Sequence, residues 1–547
     1  MTLLNRSGAG ARIRTGLLSL AAGAMLAASL AGCASAGRGG GGPVRNDELG
    51  SEVNPTGMPL LNEPYSLTFF TGSALSNRYE DTLVWSKYAD MTNITVRFEL
   101  VPFDALAAKR NLALSDESYP DVFYSARLSP KELDTYGRQG VLIPLDDLIE
   151  QYAPHFSKLM EQYPDIRKGL TMSDGHIYSL PSFYDPNMLS MLIGVPLWVN
   201  KSWLDKLEMP EPTSIEQFYN YLKAVKSTDL NGNGIHDEIP YSDNGITDLI
   251  NQLKGAWGLG TRGLGHPFVD VAPGSDELRF TRIQPGYKEL LQFIHKLYEE
   301  NLLDKEILTL DYDALLAKGK AGLLGSTIVP NPETLMNRKE YIGLGALEGP
   351  HGDRLYSHIK VPMVHPGAFA ITSKNPIPEA TMRWIDYFYS EEGATLFFMG
   401  EEGVTYEKTE NGELRYLSDI TNNPEGLTHD QALAKYVTWI GGSYPGFVRA
   451  KYFKGSETLP NAMAAAEKAK PYAVPEIWYN FNLNEEEQQT MSSVGSDIQS
   501  YVTEMEEKFI SGAVPFAYWD QYLLDIEQRG LEQYMAVYKA AYERYRK

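Results

Sequence analysis

One cysteine in 547 residues leaves no partner for an intrachain disulfide and no thiolate set for a structural zinc cluster. Positive charge is also scarce: 49 Lys and Arg stand against 71 Asp and Glu, a formal net charge of −22. Nucleic-acid binders need a cationic surface to neutralise phosphates, so this balance argues against one. The chain has no Gly-x-Ser-x-Gly elbow, no His-Glu-x-x-His pair and no Walker loop, which removes the commonest signatures of hydrolases and NTPases. After the first 30 residues no run is apolar for the ~20 residues that a bilayer span needs. What is present is globular: 43% hydrophobic and 11% aromatic residues, and length for roughly two to four domains.

The cysteine has a specific setting. Arg6, Arg12 and Arg14 form a positive segment without acids, and residues 16–30 are mostly Leu, Ala and Met. That apolar run is shorter than a membrane span and ends in Leu30-Ala31-Gly32-Cys33. The order resembles a bacterial lipoprotein signal with its lipobox. It implies a signal peptide over 1–32, thioether lipidation of Cys33 and anchoring by acyl chains at the extracellular face of the cell membrane. Residues 33–62, with Gly39-Gly40-Gly41-Gly42-Pro43, read as a flexible tether.

The folded part reads as α/β. Strands are predicted at 65–70, 94–101 and 120–124, separated by helices over 81–90 and 103–114. That alternation predicts parallel βαβ units, whose ligand crevice lies off the C-terminal strand ends. Here those ends are Thr71-Gly72-Ser73 and Tyr124-Ser125-Ala126. Strands at 197–200 and 367–371, a helix capped by Thr213 or Ser214 and a helix from Pro378 continue the theme. The aromatic stripe of the last 50 or so residues has helical spacing and reads as core.

One segment is chemically explicit. Asp229, Asn231 and Asn233 alternate, Gly234 permits a sharp turn, Ile235 can offer its carbonyl, and Asp237 and Glu238 follow. Calcium takes six to eight hard oxygen ligands, and this order supplies them. The first half matches an EF-hand loop. Position twelve is Pro240, so the bidentate carboxylate falls to Glu238 or Asp237, and the reading is a structural calcium site that pins a surface loop. The alternative is a hydrated Asn-Gly turn. His236 reads as exposed, since imidazole is not a calcium ligand.

Together these pieces resemble the extracellular solute-binding lipoproteins of carbohydrate ABC importers, family 1, with the type II periplasmic-binding fold. The resemblance is carried by Gly175-His176-Ile177-Tyr178-Ser179-Leu180-Pro181, Trp198-Val199-Asn200-Lys201 and Pro212-Thr213-Ser214-Ile215-Glu216-Gln217-Phe218. Lys318-Gly319-Lys320-Ala321-Gly322, Gly393 and Gly403-Val404 add to it, and the closing helices look like the long lipoprotein subgroup of Gram-positive soil bacteria. It implies two α/β lobes around an interlobe cleft with hinge crossings, lobe one over 63–184 and 325–392, lobe two over 185–324 and 393–547. It also implies an oligosaccharide ligand, ABC permease subunits as partners, a monomer, and closure on binding.

Sugars stack on flat aromatics and bond through their hydroxyls. The candidate contacts are Ser73 and Ser125 at predicted strand ends, Tyr184 and Asp185 beside the first expected hinge, Trp257 and Trp439 in glycine-containing loops, and Trp478 in a loop-like segment. For each Trp the rival reading is core. Arg78 and Arg127, after predicted strand ends, are placed to meet a uronate carboxylate, against a default of solvated surface charge. The rival functions are an extracellular polysaccharide-degrading enzyme and a sugar-sensing binder without transport. Glycosidases need two placed carboxylates, and Glu391-Glu392, Glu401-Glu402 and Glu485-Glu486-Glu487 all sit in charged segments that read as surface.

Overall fold

Alternating Ile94, Val96, Phe98 and Leu100 build a strand that pairs in parallel with the one before it, from Tyr65 opposite Ile94 to Ser73 opposite Pro102. The computed structural model describes residues 53–73, 78–438 and 443–547. In chain order its strands are β1 (Tyr65–Ser73), β2 (Ile94–Pro102), β3 (Val122–Leu128), β4 (Leu180–Tyr184), β5 (Leu197–Asn200), β6 (Ile239–Ser242), β7 (Val269–Val271), β8 (Leu278–Phe280), β9 (Leu324–Ile328), β10 (Tyr341–Gly343), β11 (Met363–Ile371), β12 (Tyr406–Lys408), β13 (Leu414–Tyr416) and β14 (Gly446–Val448).

Two sheets organise the chain. The first has the order β14-β4-β11-β3-β1-β2 and the second β10-β5-β9-β6. In the first sheet β11 runs antiparallel to both β3 and β4, while β1, β2, β3, β4 and β14 share one direction. One edge of this sheet therefore gathers five C-terminal strand ends and the start of β11. Each sheet has its own core. Phe69, Tyr124, Phe183, Phe369 and Trp384 belong to the first, and Val199, Tyr241, Ile328, Phe509 and Trp519 to the second. The C-terminal aromatics pack inward as their helical spacing predicts.

Helix boundaries follow local chemistry. Ser214 caps the helix Ile215–Lys226 by accepting from the Gln217 N–H, and Lys223 and Lys226 occupy its last turn, where the dipole favours cations.

Two expected boundaries shift. The return to the first sheet was expected from residue 325. Instead β9, buried at every position, pairs with β5 and β6, and β10 pairs with β5. The chain rejoins the first sheet at β11 and keeps its core company through Leu396, Phe397, Ile420, Tyr444 and Val448. The tether also ends earlier than residue 62. Leu60 and Leu61 are buried in the first core, and Arg383 holds the Asn54 and Gly57 carbonyls, because an adjacent apolar pair gains by leaving water.

Candidate functional site

Ser73, Ser125, Tyr184 and Asp185 come together along the strand-end edge of the first sheet, although they are spread over more than 100 residues. Regular pairing of β3 with β11 breaks after Tyr124, and Ser125 and Arg127 adopt left-handed backbone angles, φ 52° and 55°. The Ser125 hydroxyl is buried and makes no hydrogen bond. Asp185 accepts from the Asn187 main-chain and side-chain N–H groups at 2.9 Å, and lies 3.6 Å from the Arg449 guanidinium.

Beside this edge lies a cavity of about 390 Å³. Arg127, Met363 and His365 line it from the first sheet, Lys360 from the crossing before β11, Leu264 from the segment between the second-core residues Leu259 and Val269, and Asn480 from a segment whose Tyr479 belongs to the first core. The Arg127 guanidinium rests 4.2 Å from the centre of the Phe103 ring, and its Nε donates to Ser443 Oγ at 2.8 Å. Phe103 in turn crosses Gly72 so closely that a Cβ there would sit 2.3 Å from the ring, so any larger residue near the end of β1 must push that ring aside. Burial, then the Arg127 charge, lowers the His365 pKa to about 4, leaving a neutral imidazole. Burial raises the Tyr184 phenol, Glu457 adds to the shift and Arg127 opposes it.

The remaining aromatic candidates separate. Trp257 packs in the second core against Phe293 at 5.8 Å. Trp478 is fully buried among Phe481, Tyr542 and His266. Neither lines the cavity, so both are core residues rather than sugar platforms. Trp439 and Cys33 lie outside the described residues. Arg78 is a surface cation paired with Asp81 at 2.8 Å. Lys360 and His365 were not among the candidates.

The loop before β6 has the local order of an oxygen-lined turn. Asp229 accepts from the Gly232 and Gly234 N–H groups at 2.8 and 2.9 Å, and Asn231 and Asn233 each accept from the N–H two residues on. Asp237 accepts from both Asn amides. Glu238 Oε1 accepts from the Leu230 and Asn231 N–H groups at 2.6 and 2.9 Å, while its Oε2 is buried and accepts no hydrogen bond. A buried carboxylate oxygen without a donor, beside four further side-chain oxygen groups, fits a hard cation. His236 is exposed. Among the described residues no group of three or more His, Cys, Asp or Glu is poised for a metal, so the fit depends on the amide and carbonyl oxygens.

Two α/β sheets with separate cores and a cavity lined from both sides define a two-lobed binding protein. The model of the bacterial extracellular solute-binding protein family matches residues 78–395, more than half of the chain, and the chain belongs to that family. It is thereby a solute-binding protein and not an enzyme. It is 28% identical over 507 residues to the fructooligosaccharide ABC transporter substrate-binding protein FusA of Streptococcus pneumoniae, covering 89% of this chain and 91% of that one. The solved structure of FusA with kestose superposes with a TM-score of 0.72 at 27% identity, over 88% of this chain and 99% of that chain. An EF-hand mutant of FusA with fructo-nystose gives the same TM-score at 25% identity, with the same coverage. Among the described residues no helix is long and apolar enough to cross a membrane.

Proposed function

We propose that this chain captures an oligosaccharide in the cavity between its two sheets and delivers it to the permease of an ABC-type sugar importer. The observation that carries the reading is the cavity itself, lined by Arg127 and His365 from the first sheet and by Leu264 from a segment of the second core, so that a ligand there would touch both lobes. Contact with both lobes gives closure a differential binding energy, which is what a ligand-driven shift requires. The chain crosses between sheets at 185–196, 344–362 and 449–459, and we assign these crossings as hinges. FusA, whose name specifies fructooligosaccharide, supports the sugar class. Tyr184, Asp185, Ser73 and Ser125 do not line the cavity itself; from the strand-end edge that also carries Arg127 they would serve as further hydroxyl partners, and the protein would act as a monomer.

Calcium belongs to the same proposal. Asp229, Asn231, Asn233, Asp237, Glu238 and the Ile235 carbonyl would hold the ion, and bound calcium would supply charge that rigidifies the loop. The EF-hand named for FusA supports it. Lipidation at Cys33, after removal of residues 1–32, would hold the protein at the outer membrane face.

A thermal-shift screen of defined oligosaccharides, including kestose, tests the reading on the calcium-loaded protein. At least one sugar is expected to raise the melting temperature in a concentration-dependent way. Hydrolysis of the sugar, or no shift with any member, would overturn it.

A further inference from the structure

We infer that Arg110, which lies outside the cavity, is a positioning residue for sugar binding: with Glu132 it clamps the end of β3 in the bend that presents Arg127, Leu128, Ser129 and Pro130 to the cavity. The inference deepens the oligosaccharide reading and rests on it.

The first observation is where this wall comes from. Residues 127–130 follow one another in the chain and all line the cavity; they are the end of β3 and the start of the helix Pro130–Arg138. A regular strand turns alternate side chains to opposite faces, so a consecutive run on one cavity requires a bend. Ser125 and Arg127 supply it through their left-handed backbone angles. Non-glycine residues populate that region sparsely and stay there only where the surroundings hold them.

The second observation is what holds them. Arg110 is 7% exposed on the helix Leu106–Ser115, and its Nη1 donates to the carbonyls of Ala126 and Arg127 at 2.6 and 3.0 Å. Its Nε and Nη2 donate to Glu132 Oε1 at 3.0 and 2.6 Å. Glu132 Oε2 accepts from the Ser129 N–H and from the Ser129 hydroxyl, both at 2.7 Å. One guanidinium and one carboxylate therefore grip Ala126, Arg127 and Ser129, and neither lines the cavity. Phe103, just before the same helix, carries the Arg127 guanidinium on its ring face.

Helix capping does not account for Arg110. Ser129 and Glu132 alone complete the capping box of the helix Pro130–Arg138. The Nη1 bonds go instead to main-chain oxygens within the bend. Guanidinium donors form a rigid planar fork, which fixes direction as well as distance. Without it the bend can relax toward extended backbone, and the wall moves although none of its own atoms is lost.

The test is calorimetry on the calcium-loaded full chain with kestose, or with the screened sugar of largest thermal shift if kestose gives none. Arg110→Gln is expected to weaken binding roughly 10-fold, and Glu132→Gln, which keeps an acceptor for Ser129, to weaken it less. Arg127→Ala is expected to weaken binding too, and adding Arg110→Gln to it to cost little more, because the clamp acts through the wall already damaged. In the sugar-free protein, hydrogen exchange over 124–130 is expected to quicken in Arg110→Gln while β4 and β9 keep the wild-type rate, which separates loosening of the bend from unfolding. Wild-type affinity in Arg110→Gln, a loss that simply adds to that of Arg127→Ala, or unchanged exchange over 124–130 overturns the inference and leaves the oligosaccharide reading standing. Equal quickening in β4 and β9 does the same, since Arg110 would then hold the fold as a whole. Failure of every sugar to bind the wild type overturns both.

Discussion

Arg127 donates from Nε to Ser443 Oγ at 2.8 Å, tying the end of β3 to the residues before β14 across 316 positions of sequence. Ser443 is fully buried, so the hydroxyl has no water to compete for it. Ser443→Ala removes the acceptor and is expected to cost about 1–2 kcal/mol, read from the urea midpoint. The same variant should weaken sugar binding, because Arg127 loses one of the groups that orient it.

Arg282 and Glu506 form an ion pair at 3.2 Å inside the second core, only 4% and 6% exposed, with the Tyr287 hydroxyl donating to the same carboxylate. Glu506→Ala strands a buried guanidinium and should destabilise by about 3–5 kcal/mol. Chemical denaturation at neutral pH measures this, and a loss below 1 kcal/mol would show that the pair contributes little.

Burial raises the carboxyl of Asp243, at the end of β6, from 3.8 to about 7; the Asn244 N–H and the Tyr241 hydroxyl oppose the shift, and Asp248 adds to it. The folded state therefore holds this proton more tightly than the unfolded chain does. The stability it contributes is complete below pH ~4 and is lost as the pH rises to about 7, a swing on the order of 4 kcal/mol at most. Asp243→Asn should flatten that part of the stability profile. A profile unchanged by the substitution would assign the pH dependence to other groups.

Chelation tests the loop at Asp229. EDTA should lower the melting temperature by several degrees, and added calcium should restore it in proportion to the logarithm of its concentration. Glu238→Gln keeps an acceptor for the Leu230 and Asn231 N–H groups but removes a charge, so it should abolish the calcium response while largely sparing the apo fold.

Gly349 lies against the backbone of Ala256, and a Cβ there would fall 1.6 Å from the Ala256 carbonyl oxygen. Gly349→Ala must push the crossing segment 344–362 away from the main chain of Ala256 in the second core, so a loss of at least ~2 kcal/mol is expected from the shift in thermal unfolding.

Much of the first sheet was legible because its signals are local. Strict alternation in β2 and the helix spacing on either side depend on few distant residues. The strand end at Ser73 could be placed for the same reason, whereas β3 runs on past Ser125 to Leu128 and the strand that ends at Tyr184 is not among those predicted. Trp257 was harder. Its glycine neighbours suggested an exposed ring, but Gly255 is needed because a Cβ would lie 1.9 Å from the Leu355 carbonyl oxygen, a contact 100 residues away. His365 was hidden by Pro366, since proline demotes a strand reading; the sheet tolerates it because the register of β11 shifts on both sides of His365. The placement of β9 was ambiguous because an apolar five-residue strand carries no mark of which sheet will accept it.

β11 lies between β3 and β4, yet it is made more than 170 residues after β4. A chain emerging from its N-terminus has β1, β2, β3 and β4 long before it has the strand that joins β3 to β4, and the edge strand β14 follows later still. Until residue 363 is available β3 and β4 present unpaired edges, and such edges aggregate or pair wrongly. The first lobe therefore completes after most of the second has been synthesised, despite its name. For an exported chain this late closing strand delays stable folding, and an unfolded chain is the form that can be threaded across a membrane.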